Sequence, residues 1–382
     1  MKTDTMGINN LKSFLRKTVP DAFKSVAMSN FSGRKIAFDG NNIVAQHNSV
    51  SRSHIVSGMP IEELSQGTVD KDQVLNMTIN GIFNQVNAFL GNGILPVYVF
   101  DGGIDDMKTG TCAKRMNDKL KTYAEIDRIK KRFDEFLSRS ELEIEANKMC
   151  KNLKKFAGLK KSDFDIFRTM FDAIGLPHCT AINDGEKLCS AMCREGLVDA
   201  VFSADSDNLP FGANIIIERR TKWKKGEPPS FDCIYLDKVL EGLDLTFEEF
   251  IDFCIMCGTD FNKNIRGMGP KMNLKMIKLY GSIDNMSHKT LGCLNHLDVR
   301  KQFESVKSAN LTDKLPEFKL SPNSDIALQI FRKYDAGSLY YRMLDNRGIP
   351  ISKPEHANMF NRESVFYSPP KSRYMTKYII ES

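Results

Sequence analysis

Short apolar runs that end on an acid recur along this chain. Ile36-Ala37-Phe38 stops at Asp39, Leu95-Pro96-Val97-Tyr98-Val99-Phe100 stops at Asp101, and Val201-Phe202 leads into Ala204-Asp205-Ser206-Asp207. Runs this short, rich in β-branched and aromatic residues, predict buried strands. Helix-period segments lie between them: Gln73 to Leu90, the densely charged and proline-free 113 to 156, Asp163 to Ala173 with Gly175 as its stop, and about Asp184 to Glu195. A brief strand is expected near Pro177, another from Asp199 to Ser203, and two more over Ala213 to Ile217 and Cys233 to Leu236. The basic stretch Arg219 to Gly226 reads as a hairpin between the last two. From Phe247 onward the pattern is helical, residues 47 to 72 read as a polar loop, and residues 341 to 382 read as a loosely ordered tail.

Strands alternating with helices imply a largely parallel sheet with helices on both faces. Ligands of such sheets gather outside the carboxyl ends of the strands. Asp39, Asp101, Asp205 and Asp207 all fall at predicted carboxyl ends, so the pattern alone places four acids in one crevice.

Composition narrows the class. The 382 residues suffice for a large core, and the 41% hydrophobic and 27% charged shares are those of a soluble globular protein. No run approaches a membrane span, and the N-terminus lacks the pattern of a secretory signal. Nine cysteines without framework spacing suit a reducing, intracellular compartment. The net charge of +6 is unevenly spread: Lys108 to Lys161 holds 16 Lys and Arg against 8 Asp and Glu. Such an excess is either a solvated helical face or an attractor for a phosphate backbone.

Buried carboxylates are costly unless something positive meets them. In an extended segment Asp205 and Asp207 would share a face about 7 Å apart. Asn183 and Glu186 fit a capping box, which also accounts for acids at the start of a helix. A further acid, Asp260, follows an apolar helix in Gly258-Thr259-Asp260. A crevice holding all of these carries a formal charge untenable without divalent cations or raised pKa values. Carboxylate and water ligation is what Mg²⁺ prefers, and two such ions support phosphodiester hydrolysis.

Asn264-Ile265-Arg266-Gly267-Met268-Gly269-Pro270-Lys271 precedes an amphipathic stretch. Its Gly-x-Gly follows a helix and lacks the third glycine, which rejects a dinucleotide fingerprint. Between two helices it suits a helix-hairpin-helix, whose backbone N–H groups bind phosphates without reading bases; Lys271 and Lys275 add charge. Cys254 and Cys257 lie in an apolar helix and read as core, as do Cys189 and Cys193. His47 and His178 have no triad partners that sequence can place.

In this order the motifs resemble the flap endonuclease family of structure-specific 5′ nucleases, within the PIN-like superfamily. The resemblance is carried by Met6 to Leu11, Gly33 to Asp39, Gly93 to Gly102, Asp184-Gly185-Glu186, Ala204 to Asp207, Gly258-Thr259-Asp260, Ile265 to Lys271 and Gly281-Ser282-Ile283. It implies a PIN-like α/β nuclease core with a mixed, mostly parallel sheet, a helical arch and a helix-hairpin-helix. A single nuclease domain over 1–340 would comprise an N-terminal region (about 6–120), the arch (about 108–160), an internal region (about 161–260) and the hairpin (about 247–285), followed by the tail. The implied metal acids are Asp39, Asp101, Asp184 and Glu186 for one ion and Asp205, Asp207 and Asp260 for the other. Lys108 and Arg115 would stabilise the scissile phosphate, with Asp205 at the centre of the chemistry. Arg266, Gly267, Gly269, Lys271 and Lys275 would meet duplex DNA, and Asn264, Ile265 and Met268 a monovalent cation. The implied cofactors are two Mg²⁺, with Mn²⁺ as substitute, and K⁺ at the hairpin. The implied partner is branched single- and double-stranded DNA, met by a monomer at intracellular sites of replication, in a nucleus or a cytoplasmic viral compartment.

Several positions depart from the family pattern. Met6-Gly7 is the usual start, preceded here by five residues. Asp184 stands for a glutamate, Ala45 for a base-stacking tyrosine, and Gly103 for a basic residue, with Asp105 and Asp106 adding negative charge. The tail lacks a sliding-clamp docking motif and a lysine-rich end, which suits a divergent, viral member. The competing readings are a 5′→3′ exonuclease, a junction resolvase, an RNA-directed nuclease, and a silent DNA-binding replication factor.

Overall fold

Every side chain in the middle of β2 (Lys35–Asp39) is buried, because both faces of this strand are covered. Ala37 points into one apolar layer and its neighbours Ile36 and Phe38 into the other, as strand alternation requires. The computed structural model describes residues 8, 10–103, 109–135, 137–155, 159–219, 227–265, 267–287, 294–304 and 324–334.

The other strands are β1 (Phe23–Ala27), β3 (Leu95–Phe100), β4 (His178–Thr180), β5 (Ala200–Phe202), β6 (Ile215–Arg219) and β7 (Ser230–Tyr235). They form one seven-stranded sheet in the order β1-β7-β6-β5-β2-β3-β4. The five strands from β6 to β4 are parallel, while β7 runs antiparallel to both β6 and β1. The sheet is therefore mixed and mostly parallel. From β2 the chain builds outward through β3 and β4, then returns to the other side of β2 with β5. The order reverses there, and the crevice outside the carboxyl ends of β2 and β5 is the expected ligand position.

One layer packs α1 (Leu11–Thr18), α8 (Gly185–Arg194), α9 (Leu236–Leu243), α10 (Phe247–Cys257) and α11 (Pro270–Tyr280) against Ala37, Val97, Val201 and Ile216. The opposite layer packs α2 (Gly40–Gly58), α4 (Lys71–Gly91) and α7 (Lys161–Ile174) against Phe38, Tyr98 and Phe202. These three rings sit in register on neighbouring strands, with Phe38 stacked 5.1 Å from Tyr98 and 4.8 Å from Phe202. Phe331, on the last described helix (Ser324–Lys333), reaches back to Phe83 of α4 at 4.6 Å.

The charged 113–156 stretch forms two helices, α5 (Thr109–Phe133) and α6 (Arg139–Lys155), broken between 133 and 139. Ile126 and Ile129 of α5 and Ala146, Met149 and Leu153 of α6 close a small core over Val56 of α2.

Three expectations are corrected. Residues 47–72 are mostly helical: α2 runs to Gly58, the short α3 covers Ile61–Ser65, and α4 begins at Lys71. The buried stripe of α2 is Val44, Asn48, Arg52 and Val56, spaced by four. Its two middle members are polar, which hid the period. Asp205 and Asp207 do not lie in an extended segment; Asp205 caps one turn of 3-10 helix over Ser206–Asn208, and its side chain accepts from Asp207 N. The cap of α8 is Asp184, not Asn183. The half-exposed edge strand β1 and helix α9 had no separate expectation. The basic stretch 220–226 lies outside the described residues, between antiparallel β6 and β7.

Candidate active site

Each acid of the crevice is placed by a local rule of chain geometry. Asp39 ends β2 and caps α2, its Oδ1 accepting from Asn42 N at 2.9 Å. Asp101 follows β3 and accepts from Gly185 N at 2.8 Å, so it faces the first turn of α8. The approach at Gly185 is close: an added Cβ would lie 3.1 Å from both Asp101 Oδ1 and Val99 O. Gly102 is tighter still, with Ala181 O at 1.9 Å from a Cβ. Asp184 caps α8 by accepting from Glu186 N at 3.0 Å. Acids at helix N-termini are favoured by the helix dipole, which offsets part of the cost of gathering them.

Glu186, Asp205 and Asp207 are buried. Burial, with Asp205, Asp207, Asp184 and Asp39 around it, pushes the Glu186 carboxyl well above the usual carboxylate range. Four of the other acids thus act on Glu186, and Asp101 faces the same first turn of α8 through Gly185 N. Asp207 Oδ1 accepts from the main chain of Ile8 at 2.9 Å, and Lys12 of α1 donates to Ala204 O at 2.6 Å while pairing with Glu218. Asn208 donates to Glu186 Oε1 at 2.6 Å and to Asp205 O at 3.1 Å. Nothing in the sequence distinguished the Ile8 N–H or Asn208, because both act through folded contacts.

Asp260 lies in the turn after α10 and is one-third exposed; Arg115 of α5 stands 3.9 Å from it. A pair this open contributes little to stability; it sets α5 beside the turn that carries Asp260. Lys108 lies outside the described residues.

Among the described residues no three His, Cys, Asp or Glu side chains are already arranged as a metal cage. The oxygens of Asp39, Asp101, Asp184, Asp205 and Asp207 accept from main-chain N–H groups, and Glu186 accepts from the Asn208 amide. The donor set itself is hard carboxylate oxygen, which fits a divalent cation of the Mg²⁺ kind. Cys189, one turn into α8, does not belong to it: burial, then Asp39, raises its thiol well above its ordinary pKa, which keeps it protonated.

A turn joins α10 to α11 at the place where the sequence predicts a helix-hairpin-helix. Gly258 ends α10 at φ 87°, and Thr259 and Asn262 exchange main-chain hydrogen bonds of 3.1 and 3.4 Å. Ile265 is buried and its carbonyl accepts from Met268 N at 3.1 Å; Asn264 is exposed. Gly267 takes φ +80°, a conformation glycine adopts without strain. Gly269 caps α11 and Pro270 opens it, leaving the helix N-terminus at an exposed turn. Lys271 and Lys275, four apart, are exposed on one face. Arg266 lies outside the described residues.

Comparison with known proteins agrees with this architecture. The XPG N-terminal domain model matches residues 6–122, and the XPG I-region model matches residues 175–260. Flap endonuclease 1-B of Physcomitrium patens is 32% identical over 283 residues, covering 74% of each chain. Flap endonuclease 1 of Ostreococcus lucimarinus (strain CCE9901) is 34% identical over 281 residues, 74% of this chain and 67% of its own. Among solved structures, flap endonuclease-1 from Methanococcus jannaschii superposes with a TM-score of 0.58 at 21% identity, over 87% of this chain and 98% of its own. Human GEN1 in complex with Holliday junction DNA does so with a TM-score of 0.55 at 16% identity, over 89% and 78%. At those identities the structures share the fold.

Proposed function

The chain belongs to the flap endonuclease family and is a structure-specific 5′ nuclease; on that premise we propose that it cleaves branched DNA with two Mg²⁺ held by the seven acids. The observation that carries the proposal is Glu186 buried among Asp205, Asp207, Asp184 and Asp39 at the carboxyl ends of a mostly parallel sheet. Only added positive charge makes that cluster of ionised carboxylates tolerable.

In this reading Asp39, Asp101, Asp184 and Glu186 hold one cation, and Asp205, Asp207 and Asp260 the other. Bound divalent ions lower the pKa of water and neutralise charge on the attacking and leaving oxygens of a phosphodiester. The protein's own groups supply binding and orientation. Arg115, tethered beside Asp260, and Lys108 hold the scissile phosphate from the arch side. At the hairpin, the N-terminus of α11 with Gly267, Gly269, Lys271, Lys275 and Arg266 grips the duplex backbone. Main-chain oxygens of Asn264, Ile265 and Met268 hold K⁺ there. Backbone contacts position the duplex without reading its sequence, so branch shape rather than bases selects the substrate. The protein acts as a monomer, inside the cell where DNA is replicated, repaired or recombined.

The test is cleavage of nicked, 5′-flapped, four-way and RNA substrates side by side in Mg²⁺ at one stated salt concentration. The proposal requires the 5′-flap to be cut fastest. Preference for the four-way or RNA substrate would make the chain a resolvase or an RNA-directed nuclease instead. DNA binding without cleavage of any would make it a silent replication factor.

A further inference from the structure

Asn208 is fully buried, and both ends of its amide are engaged. Nδ2 donates to Glu186 Oε1 at 2.6 Å and to the main-chain carbonyl of Asp205 at 3.1 Å. Oδ1 accepts from Ser190 Oγ at 2.8 Å, and Ser190 is itself fully buried on α8. The Asp205 carbonyl can only accept a hydrogen bond, so it fixes which end of the amide faces Glu186. That orientation holds whichever protonation state Glu186 adopts.

Through these three bonds one side chain links two elements that have no covalent reason to stay in register. The first turn of α8 carries Asp184 and Glu186; the 3-10 turn carries Asp205 and Asp207. The residue type is informative. A lysine at this place would neutralise the crevice and compete with a cation, and an aspartate would add a further repulsive charge. An apolar residue would leave a buried glutamate oxygen and a buried hydroxyl without their partner. A neutral amide supplies the donor and leaves the charge of the crevice unchanged.

We propose that Asn208 is a positioning residue for the divalent-cation site: it orients the Glu186 carboxylate against its acidic neighbours and holds the two acid-bearing turns at a fixed spacing. Partners that hydrogen-bond ligating carboxylates in this way set ligand orientation and, with it, metal affinity. The inference rests on the crevice being a cation site, and the experiment separates failure of the two.

The test is calorimetric titration of the full-length, DNA-free protein with Mn²⁺, for wild type, Asn208→Ala, Ser190→Ala and the double variant. Circular dichroism checks folding, and kcat and KM on a 5′-flap duplex are measured across Mn²⁺ concentrations. Asn208→Ala should weaken Mn²⁺ binding by about 10- to 100-fold, the usual effect of losing an outer partner of a metal ligand. KM for DNA should stay at the wild-type value, and kcat should recover as Mn²⁺ is raised, a split that a general loss of structure would not produce. Ser190→Ala should weaken binding by about fivefold, the worth of one neutral hydrogen bond. The double variant should bind no worse than Asn208→Ala, because Ser190 acts only through Asn208. Wild-type Mn²⁺ affinity in a folded Asn208→Ala, or losses that simply add in the double variant, would overturn the proposal. If Asn208→Ala does not fold, Ser190→Ala decides by the same titration, and wild-type affinity there overturns it. Failure of the wild type itself to take up Mn²⁺ would refute the cation site, not the Asn208 assignment alone.

Discussion

The main-chain N–H of Ile8 donates to Asp207 Oδ1 at 2.9 Å, and both residues are buried. An acid of the crevice is thus held by the N-terminal segment 199 positions away. Replacing Ile8 by proline removes this donor, whereas Ile8→Val keeps it. Ile8→Pro should lower 5′-flap cleavage by about 10- to 100-fold in the manner of a lost outer partner, with Ile8→Val near wild type. Removal of residues 1–5 leaves Ile8 in place and should leave the rate unchanged. Rate assays in Mg²⁺ with circular dichroism on each variant check this.

The buried Glu186 makes the metal-free protein sensitive to pH. Its carboxyl titrates well above the usual range in the folded state, because of burial and then of Asp205, Asp207, Asp184 and Asp39. Between the unfolded and folded pKa values the folded chain holds a proton that the unfolded chain has released. Stability therefore falls as pH rises through that window. Glu186→Gln, which has no charge to form, should be equal to wild type below the unfolded pKa and more stable than it above the folded one. Urea unfolding in EDTA across pH reads the difference, and saturating Mg²⁺ should abolish it. A wild type that gains on Glu186→Gln as pH rises in EDTA would contradict the assignment.

Beyond the crevice, Asp252 of α10 is buried and accepts two-pronged donation from Arg300 at 2.7 to 3.0 Å, together with Ser282 Oγ and Ile283 N. Arg300 lies on the helix His296–Glu304 and also reaches Asp284 at 3.0 Å, so this helix is clamped to the end of the hairpin unit. Arg300→Ala leaves a buried carboxylate without its main partner and should cost about 3 kcal/mol, the low end for breaking a buried pair, since Arg300 is partly exposed. Guanidinium unfolding measures it. Arg300→Lys should recover only part, because an ammonium cannot donate in a fork.

Lys271 and Lys275 are exposed on α11 beside its N-terminus. Changing both to alanine should weaken DNA binding equally across sequences and flatten the dependence of log affinity on log salt by about 2, one phosphate contact each. Single-turnover cleavage of bound flap should keep its rate. Binding titrations at several salt concentrations check the slope, and an unchanged slope would remove these lysines from the interface.

The acid crevice was legible because strand ends are legible: apolar runs stopping at Asp39 and Asp101 mark carboxyl ends, and a parallel sheet brings such ends together. The turn holding Asp205 and Asp207 is not legible in the sequence, since alternation at Ser206 looks the same in a strand and in a 3-10 turn capped by its own aspartate. Residues 47–58 of helix α2 look like a loop in sequence because Asn48 and Arg52 occupy core positions of its buried stripe. Strand β1 sits at an edge with Lys24 and Ser25 exposed, which erases the apolar run. The links from Ile8 to Asp207 and from Asn208 to Glu186 leave no trace in pattern, because they are contacts between segments that only the folded chain brings together.

The most direct measurement on the central claim is Asp205→Asn, which keeps the side-chain shape and removes one ligand charge. Cleavage of a 5′-flap duplex in Mg²⁺ should fall by at least about a hundredfold, beyond the usual effect of an outer-partner change, while binding of the same duplex in Ca²⁺ stays intact. Cleavage at the wild-type rate in Asp205→Asn would contradict catalysis by cations held among these acids.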